Sequence, residues 1–206
     1  MPESTVNEDL LDRYLRAGEP LFRVYEPSAV CAVLGAGGKP EADLILENLA
    51  EDGIPALRRR GGGGTVVLAP GQVVLALVTE VGSPFHNREY AARINEWFIE
   101  ALSRLGVAGA AQRGISDLAI GDKKILGTSL YRRRLVLFYQ GSLLVSGDIS
   151  LFTRYLAMPA RVPDYRAGRS HEDFCTTLAR EGYALSTGEV IAALEDVVRA
   201  RLSALR

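Results

Sequence analysis

Cysteine and histidine are scarce in this chain, with two of each among 206 residues. Cys31 and Cys175 are too few for a disulfide framework and read as free thiols in a reducing cytosol. His86 and His171 lie too far apart to give a metal-ligand spacing. No apolar run approaches the roughly 18 uninterrupted residues of a membrane-spanning helix. Neither sign of charge dominates: 24 Lys and Arg against 25 Asp and Glu leave a formal net charge of −1. That balance gives no basic excess for a nucleic-acid partner. The opening stretch, Met1 to Asp9, has no basic region leading into an apolar run, so the expectation is no secretory signal and a cytoplasmic protein. What the chain has is hydrophobic mass, 48% of its residues. No linker interrupts the pattern, and one domain over residues 1–206 is expected, with a core that needs no covalent staple.

Periodicity gives the elements. Residues 5–17 read as a helix with Leu10, Leu11, Tyr14 and Leu15 on one face, ended by Gly18 and Pro20. Leu21–Tyr25 and Val30–Leu34 read as strands, and Glu41–Glu51 as a helix stopped by Gly53 and Pro55. Val66–Leu68 and Val73–Thr79 read as a strand pair joined through Pro70-Gly71. Residues 87–105 are the clearest helix, with Tyr90, Ile94, Trp97, Phe98, Ala101, Leu102 and Leu105 at steps of three and four. Leu118–Ile120 and Lys124–Leu126 flank Gly121-Asp122 as a hairpin. Leu135–Tyr139 and Ser142–Val145 flank Gln140-Gly141 as another. Ser170-x-x-Asp173 and Ser186-x-x-Glu189 look like helix starts, the second leading into Val190, Ile191, Leu194, Val197 and Val198. Hairpins with helices set between them predict an α+β fold with mixed, mainly antiparallel sheets and flanking helices.

Two segments carry chemistry. The first is Arg58-Arg59-Arg60-Gly61-Gly62-Gly63-Gly64-Thr65. Four consecutive glycines are costly inside a strand or helix. They are useful where backbone N–H groups must approach the oxygens of a phosphate or carboxylate. Arginine suits the same ligands. No Gly-Lys-Ser/Thr follows, so this is not a P-loop, and a strand rather than a helix comes next, so it is not a dinucleotide fingerprint. Read alone, it could equally be a flexible loop beside a solvated charge run. The second segment runs from Ser116-Asp117 through Lys123-Lys124 to Gly127-Thr128-Ser129. If Lys124 opens a strand, alternation turns it inward, where it needs an anionic partner.

Taken together, in order and spacing, these blocks resemble the lipoate–protein ligase A family. That family's signature, approximately Arg-Arg-x-Ser-Gly-Gly-Gly-Ala-Val-x-His-x-x-Gly-Asn, aligns without a gap on Arg58 to Gln72. Its second block, Asn-Asp…Gly-x-Lys-(Ile/Val)-Ser-Gly, aligns on Ser116 to Ser129 and puts the family's essential lysine on Lys124. Asp52-Gly53-Ile54-Pro55 and Gly141-Ser142-Leu143-Leu144 fit as flanking stretches, so the resemblance spans roughly residues 5–180. It implies the fold shared by biotin and lipoate protein ligases. It also implies a two-step reaction. A lipoate or octanoate carboxylate attacks the α-phosphate of Mg-ATP, and a carrier-protein lysine then takes the acyl group from the adenylate. The resemblance assigns Lys124 to both steps. It assigns Arg59, Gly62, Gly63, Gly64, Thr65, Val66, Val67, Ser116, Asp117 and Gly127 to the nucleotide and adenylate, and Asp117 to Mg2+, an oxygen-seeking ion.

The departures are specific. Leu68 and Gln140 stand where the family has histidines, Gly61 where it has serine, and Ser116 where it has asparagine. No C-terminal accessory domain is expected within this length, so a separate accessory protein is a possible partner beside the lipoyl carrier. A competing reading is ATP-independent octanoyl or lipoyl transfer, whose family uses a cysteine and a lysine. Pro70-Gly71-Gln72 fits that family, but its cysteine position holds Ala160. Cys175, read as part of a helix, and Cys31, in a strand, are expected to be small buried hydrophobes. A non-catalytic acyl- or nucleotide-binding relative is the third reading. His86 and His171 are expected near helix starts, and Arg166 and Arg169 as a solvated charge cluster in preference to a contact for a carrier's acidic surface.

Overall fold

The computed structural model describes residues 6–205. In chain order the elements are α1 (Glu8–Ala17), β1 (Leu21–Tyr25), β2 (Cys31–Leu34), α2 (Pro40–Asp43), α3 (Leu46–Glu51), β3 (Ala56–Arg58), β4 (Val66–Leu68) and β5 (Gln72–Glu80). They continue as α4 (Asn87–Arg104), β6 (Ala110–Arg113), β7 (Asp117–Ile120), β8 (Lys123–Arg133), β9 (Val136–Leu144), α5 (Ser150–Tyr155), α6 (His171–Phe174) and α7 (Thr187–Arg201). Six strands make an antiparallel sheet in the order β1-β5-β9-β8-β7-β6. A smaller sheet has the order β3-β2-β4, with β2 parallel to β3 and antiparallel to β4. The expected α+β class with mixed, mainly antiparallel sheets and flanking helices is what the chain adopts.

β5 is the spine. Eight of its nine residues are buried, because both faces of the large sheet are covered. Val73, Leu75 and Leu77 pack with Ile94, Phe98, Leu194 and Val197 under α4 and α7. Ala76 and Val78 pack with Leu10, Leu11 and Tyr14 of α1. Each Val, Leu, Ile or Phe among them contributes roughly 1.5–3 kcal/mol on burial. α7 starts at a capping box in which Ser186 and Glu189 satisfy each other's backbone N–H groups. Ser170 likewise accepts from Asp173 N to start α6.

Several expectations need correction. The strands before and after Pro70-Gly71 are not a pair. β4 belongs to the small sheet, with Leu68 opposite Cys31, whereas β5 pairs with β1 and β9. The corner between them is fixed by Gly71, whose φ is +85° and whose carbonyl accepts from Val145, Ser146 and Gly147. Gln140-Gly141 is not a turn either, for β9 runs unbroken through it and the chain reverses at Arg134-Leu135. Gly141 is needed in mid-strand because a Cβ there would lie 2.7 Å from the Tyr139 hydroxyl. The helix expected at Glu41–Glu51 breaks at Leu44, which bridges to Leu156 while Ile45 N donates to Tyr155 O. Of the first helix, residue 5 lies outside the described residues. Cys175 ends α6 in extended geometry, not within a helix.

Candidate active site

A narrow cleft of about 40 Å³ lies where the two sheets meet. Val33, Val66 and Leu68 form one wall, and Val74, Gln140 and Gly127 to Ser129 form the other. The wall is apolar because Val33, Leu68 and Val74 pack on one another. The positions where the resemblance sets two histidines, Leu68 and Gln140, therefore face the same cleft. Gln140 accepts from Asn7 Nδ2 at 3.2 Å, and Asn7 also donates to Tyr25.

Lys124 stands at the Gly127 end of this cleft. A Cβ on Gly127 would lie 3.2 Å from both Cε and Nζ of Lys124, so the glycine gives the lysine room to lie back over β8. Its ammonium meets Asp117 Oδ1 at 2.8 Å, with the two side chains 26% and 14% exposed. The inward lysine thus has an anionic partner within the chain. Lys123, its neighbour, is exposed. The backbone of Lys124 is tied independently, for it bridges Cys175 and its carbonyl accepts from Thr176 N at 2.9 Å. Ser116, at the other end of β7, is held by Asn95 Nδ2 on its carbonyl at 2.9 Å and by Thr128 on its hydroxyl at 2.6 Å. Asn95 is itself fixed by the buried Tyr139 hydroxyl at 2.7 Å. Burial pushes that phenol's pKa up, so it remains a donor.

The glycine run packs directly on β8. Arg59 is 5% exposed, and its guanidinium reaches Ser129 Oγ at 2.8 Å, Val33 O at 3.2 Å, and Gly62 O and Gly64 O at 2.8 Å each. It staples the loop rather than pointing free into solvent. Arg58 caps the carbonyls of Gly35, Ala36 and Gly38, and Arg60 pairs with Glu8. Gly63 has φ +93°, and a Cβ on Gly35 would fall 2.1 Å from Gly63 O, so the two loops touch backbone to backbone. Gly62 N donates to Leu130 O. The N–H groups of Gly63 and Gly64 find no acceptor among the described residues, and both glycines are exposed. Such exposed, unpaired backbone donors are the kind that can meet an anion's oxygens. Thr65 Oγ1 donates to Asp43 at 3.0 Å, while Val66 and Val67 continue into β4.

Gly61 explains one departure. A Cβ there would lie 2.4 Å from Ser129 Oγ. The serine that the resemblance would place at 61 is displaced by one at 129, which now accepts from Arg59. Gly61→Ser is therefore expected to lower the melting temperature by several degrees. Gly61→Ser with Ser129→Ala should recover most of it, because the new hydroxyl can take over the Arg59 contact. Thermal unfolding of the four proteins of this cycle checks it.

Asp117, the residue expected to meet Mg2+, has both carboxylate oxygens engaged within the chain. One carboxylate oxygen takes Lys124, and the other accepts the Tyr165 hydroxyl at 2.9 Å. Among the described residues there is no group of three or more His, Cys, Asp or Glu placed to hold a metal. Sequence reasoning also missed Tyr165 and the place of Cys175. The Cys175 thiol is buried beside Lys124, and burial raises its pKa while Lys124 and Arg166 act the other way. Arg166 is not solvated as expected but 4% exposed, its guanidinium 5.0 Å over the Phe174 ring. Arg169 binds Asp122. His86 is at the α4 start, exposed; His171 opens α6, and burial lowers its pKa. Cys31 is half-buried. No helix among the described residues is long and apolar enough to cross a membrane.

A family profile described as the lipoyl protein ligase A/B catalytic domain matches residues 4–199. Among solved structures, a bipartite lipoate protein ligase from Thermoplasma acidophilum, described together with its E2 lipoyl domain, superposes with a TM-score of 0.80 at 20% identity. That match covers 98% of this chain and 81% of the other. A lipoate-protein ligase A bound with ATP matches with a TM-score of 0.80, 20% identity and coverage of 98% and 83%. P. falciparum LipL1 in complex with lipoate matches at 0.72, 18% identity and coverage of 97% and 56%.

Proposed function

Since the chain belongs to the lipoyl protein ligase A/B catalytic-domain family, we propose that it is an ATP-dependent ligase acting on lipoate or octanoate. It forms the acyl-adenylate and passes the acyl group to a lysine of a lipoyl-carrier protein. The observation that carries this reading is Lys124, tied to Asp117 and set beside Gly127 of an apolar cleft, on the same strand β8 whose Thr128 to Leu130 stretch carries the glycine loop. The structures described with ATP and with lipoate support the same two substrates.

The chemistry asks two anions, a carboxylate and a phosphate, to meet. An oxygen of the acyl carboxylate attacks the α-phosphorus, the bond to the β-phosphate oxygen breaks, and pyrophosphate leaves. Repulsion between the partners must be offset by fixed cations and N–H donors. Lys124 supplies the cation, and Gly63 and Gly64 supply donors. The cleft walls of Val33, Val66, Leu68 and Val74 take the alkyl chain and keep water from the mixed anhydride. In the second step the carrier amine attacks the acyl carbon and AMP leaves, with Lys124 again beside the departing phosphate. Mg2+ would enter with ATP to neutralise its phosphates, and no step here runs through Asp117 as its ligand. One relative is described as bipartite and paired with its E2 lipoyl domain. A lipoyl domain is accordingly the proposed acceptor, and a separate accessory protein the proposed helper, in the cytoplasm.

The test is exchange of labelled pyrophosphate into ATP by the purified chain, with and without a candidate accessory protein. Exchange that depends on added lipoate or octanoate is expected. Its absence under both conditions sinks the ligase reading. One observation favours a second reading, transfer through a cysteine thioester: Cys175 adjoins Lys124. It is 9% exposed, and its raised pKa keeps it a thiol. Octanoyl transfer from a carrier without ATP, lost in Cys175→Ser, would select that reading.

A further inference from the structure

We propose that Tyr165 is a positioning residue for Lys124, acting through Asp117 from a segment that clasps the β7–β8 hairpin at both ends. The inference rests on the ligase reading for its kinetic arm only.

The geometry is a chain of two contacts. Tyr165 Oη donates to Asp117 Oδ2 at 2.9 Å, and Asp117 Oδ1 meets Lys124 Nζ at 2.8 Å. A carboxylate gripped on both oxygens has one orientation, and an ammonium bound to it inherits that orientation. Alone, a Lys–Asp pair that solvent still reaches fixes little, because two flexible side chains must be ordered for a modest Coulomb gain. A rigid aromatic donor with two torsions changes that balance. Its ring is wedged: a Cβ on Gly114 would lie 3.3 Å from Tyr165 Cε1, and the Phe174 ring stands 5.0 Å away. Gly114, with φ +56°, makes the tight turn that admits the ring. The phenol stays protonated, since burial and the neighbouring Asp117 charge push its pKa up. Arg169 provides the second grip. It donates to Tyr165 O at 2.7 Å and to Asp122 O at 2.9 Å, and pairs with the Asp122 carboxylate at 3.0 Å. Asp117 opens β7 and Asp122 lies in the turn before Lys123, so both ends of the strand leading to Lys124 are held.

Tyr165→Phe removes the hydroxyl and keeps the wedged ring. The expected result is a fall of about tenfold in kcat for acyl-dependent pyrophosphate exchange, with KM for ATP and for the acyl acid within about twofold, the signature of a misplaced group rather than lost binding. Asp117→Asn should cost as much or more, and the double variant no more than Asp117→Asn alone. Additive losses, or an unchanged kcat, overturn the proposal. A second readout needs no activity. Limiting amine-reactive reagent followed by peptide mass spectrometry gives the labelling rate of Lys124 relative to exposed Lys123. The ratio should rise about threefold in Tyr165→Phe as the ammonium loses its fixed partner. A ratio that stays or falls overturns it. If the wild type shows no exchange, the ligase reading fails, while the labelling ratio still decides the role of Tyr165.

Discussion

Lys124→Ala is expected to cut acyl-dependent pyrophosphate exchange by roughly 10²–10³-fold, the cost of removing one preorganised donor where charge develops. Two unit charges about 4 Å apart repel by roughly 4 kcal/mol at an effective dielectric constant near 20. The carboxylate and the α-phosphate must come closer than that. In the proposed mechanism Lys124, beside Gly127 at the end of the cleft, is the ammonium that offsets the repulsion. The fold should survive the change, because the backbone at 124 is held by Thr176 N and by the bridge to Cys175, whatever side chain it carries. Asp117 keeps Tyr165 and is 14% exposed, so water can reach the oxygen that loses its partner. Lys124→Arg separates charge from placement. It retains a cation, but a planar fork cannot fold back over Gly127 as a single amine does. It is expected to keep the wild-type melting temperature and recover little of the rate. The check is exchange kinetics beside thermal unfolding for both variants. An alanine variant with more than about a tenth of wild-type exchange removes Lys124 from the mechanism.

The helices α4 and α7 and the strand β5 were legible because their patterns are set by burial alone. Trp97, Phe98, Ala101 and Leu102 recur at helical spacing and all pack in one cluster. Gly141 was misread because its reason is distant: it makes room for Tyr139 to reach Asn95 on another element. The break at Leu44 has the same origin, a bridge to Leu156. The glycine run and Lys124 were visible as motif and spacing, whereas their supports were not. Tyr165 and Asn95 have no local pattern that marks them, and Ser129, though inside the second motif, gives no sign of its reach to Arg59; each acts across 44 or more residues or through a turn carbonyl. Gly61 with Ser129 is the instructive pair. The departure at 61 is visible in the sequence, but its compensation needs the contact between two loops.

Arg59→Met is expected to cost about 3–5 kcal/mol of stability, the upper range for a buried polar network broken at its centre. For a chain of this length that is a loss of roughly 6–20 °C in melting temperature. Four contacts go at once, and Val33 O lies in the core, where water cannot replace the donor. Burial draws the guanidinium's pKa down to about 10, still well above neutrality, so at pH 7 the loop closes around a cation. That charge faces carbonyls and a hydroxyl instead of a carboxylate, so its hold comes from directed hydrogen bonds rather than from an ion pair. Lysine cannot substitute. Its three N–H groups leave one atom, whereas Ser129 Oγ, Val33 O, Gly62 O and Gly64 O are reached by three separate nitrogens of a rigid plane. Arg59→Lys should therefore recover less than half of the lost stability. In either variant, proteolysis should cut first near Gly62 to Gly64, and the KM for ATP should rise more than kcat falls, because the freed loop no longer presents the Gly63 and Gly64 N–H groups as a fixed pair. A lysine variant that melts within about 2 °C of the wild type, with its KM for ATP unchanged, would show that the planar fork is not what holds the loop.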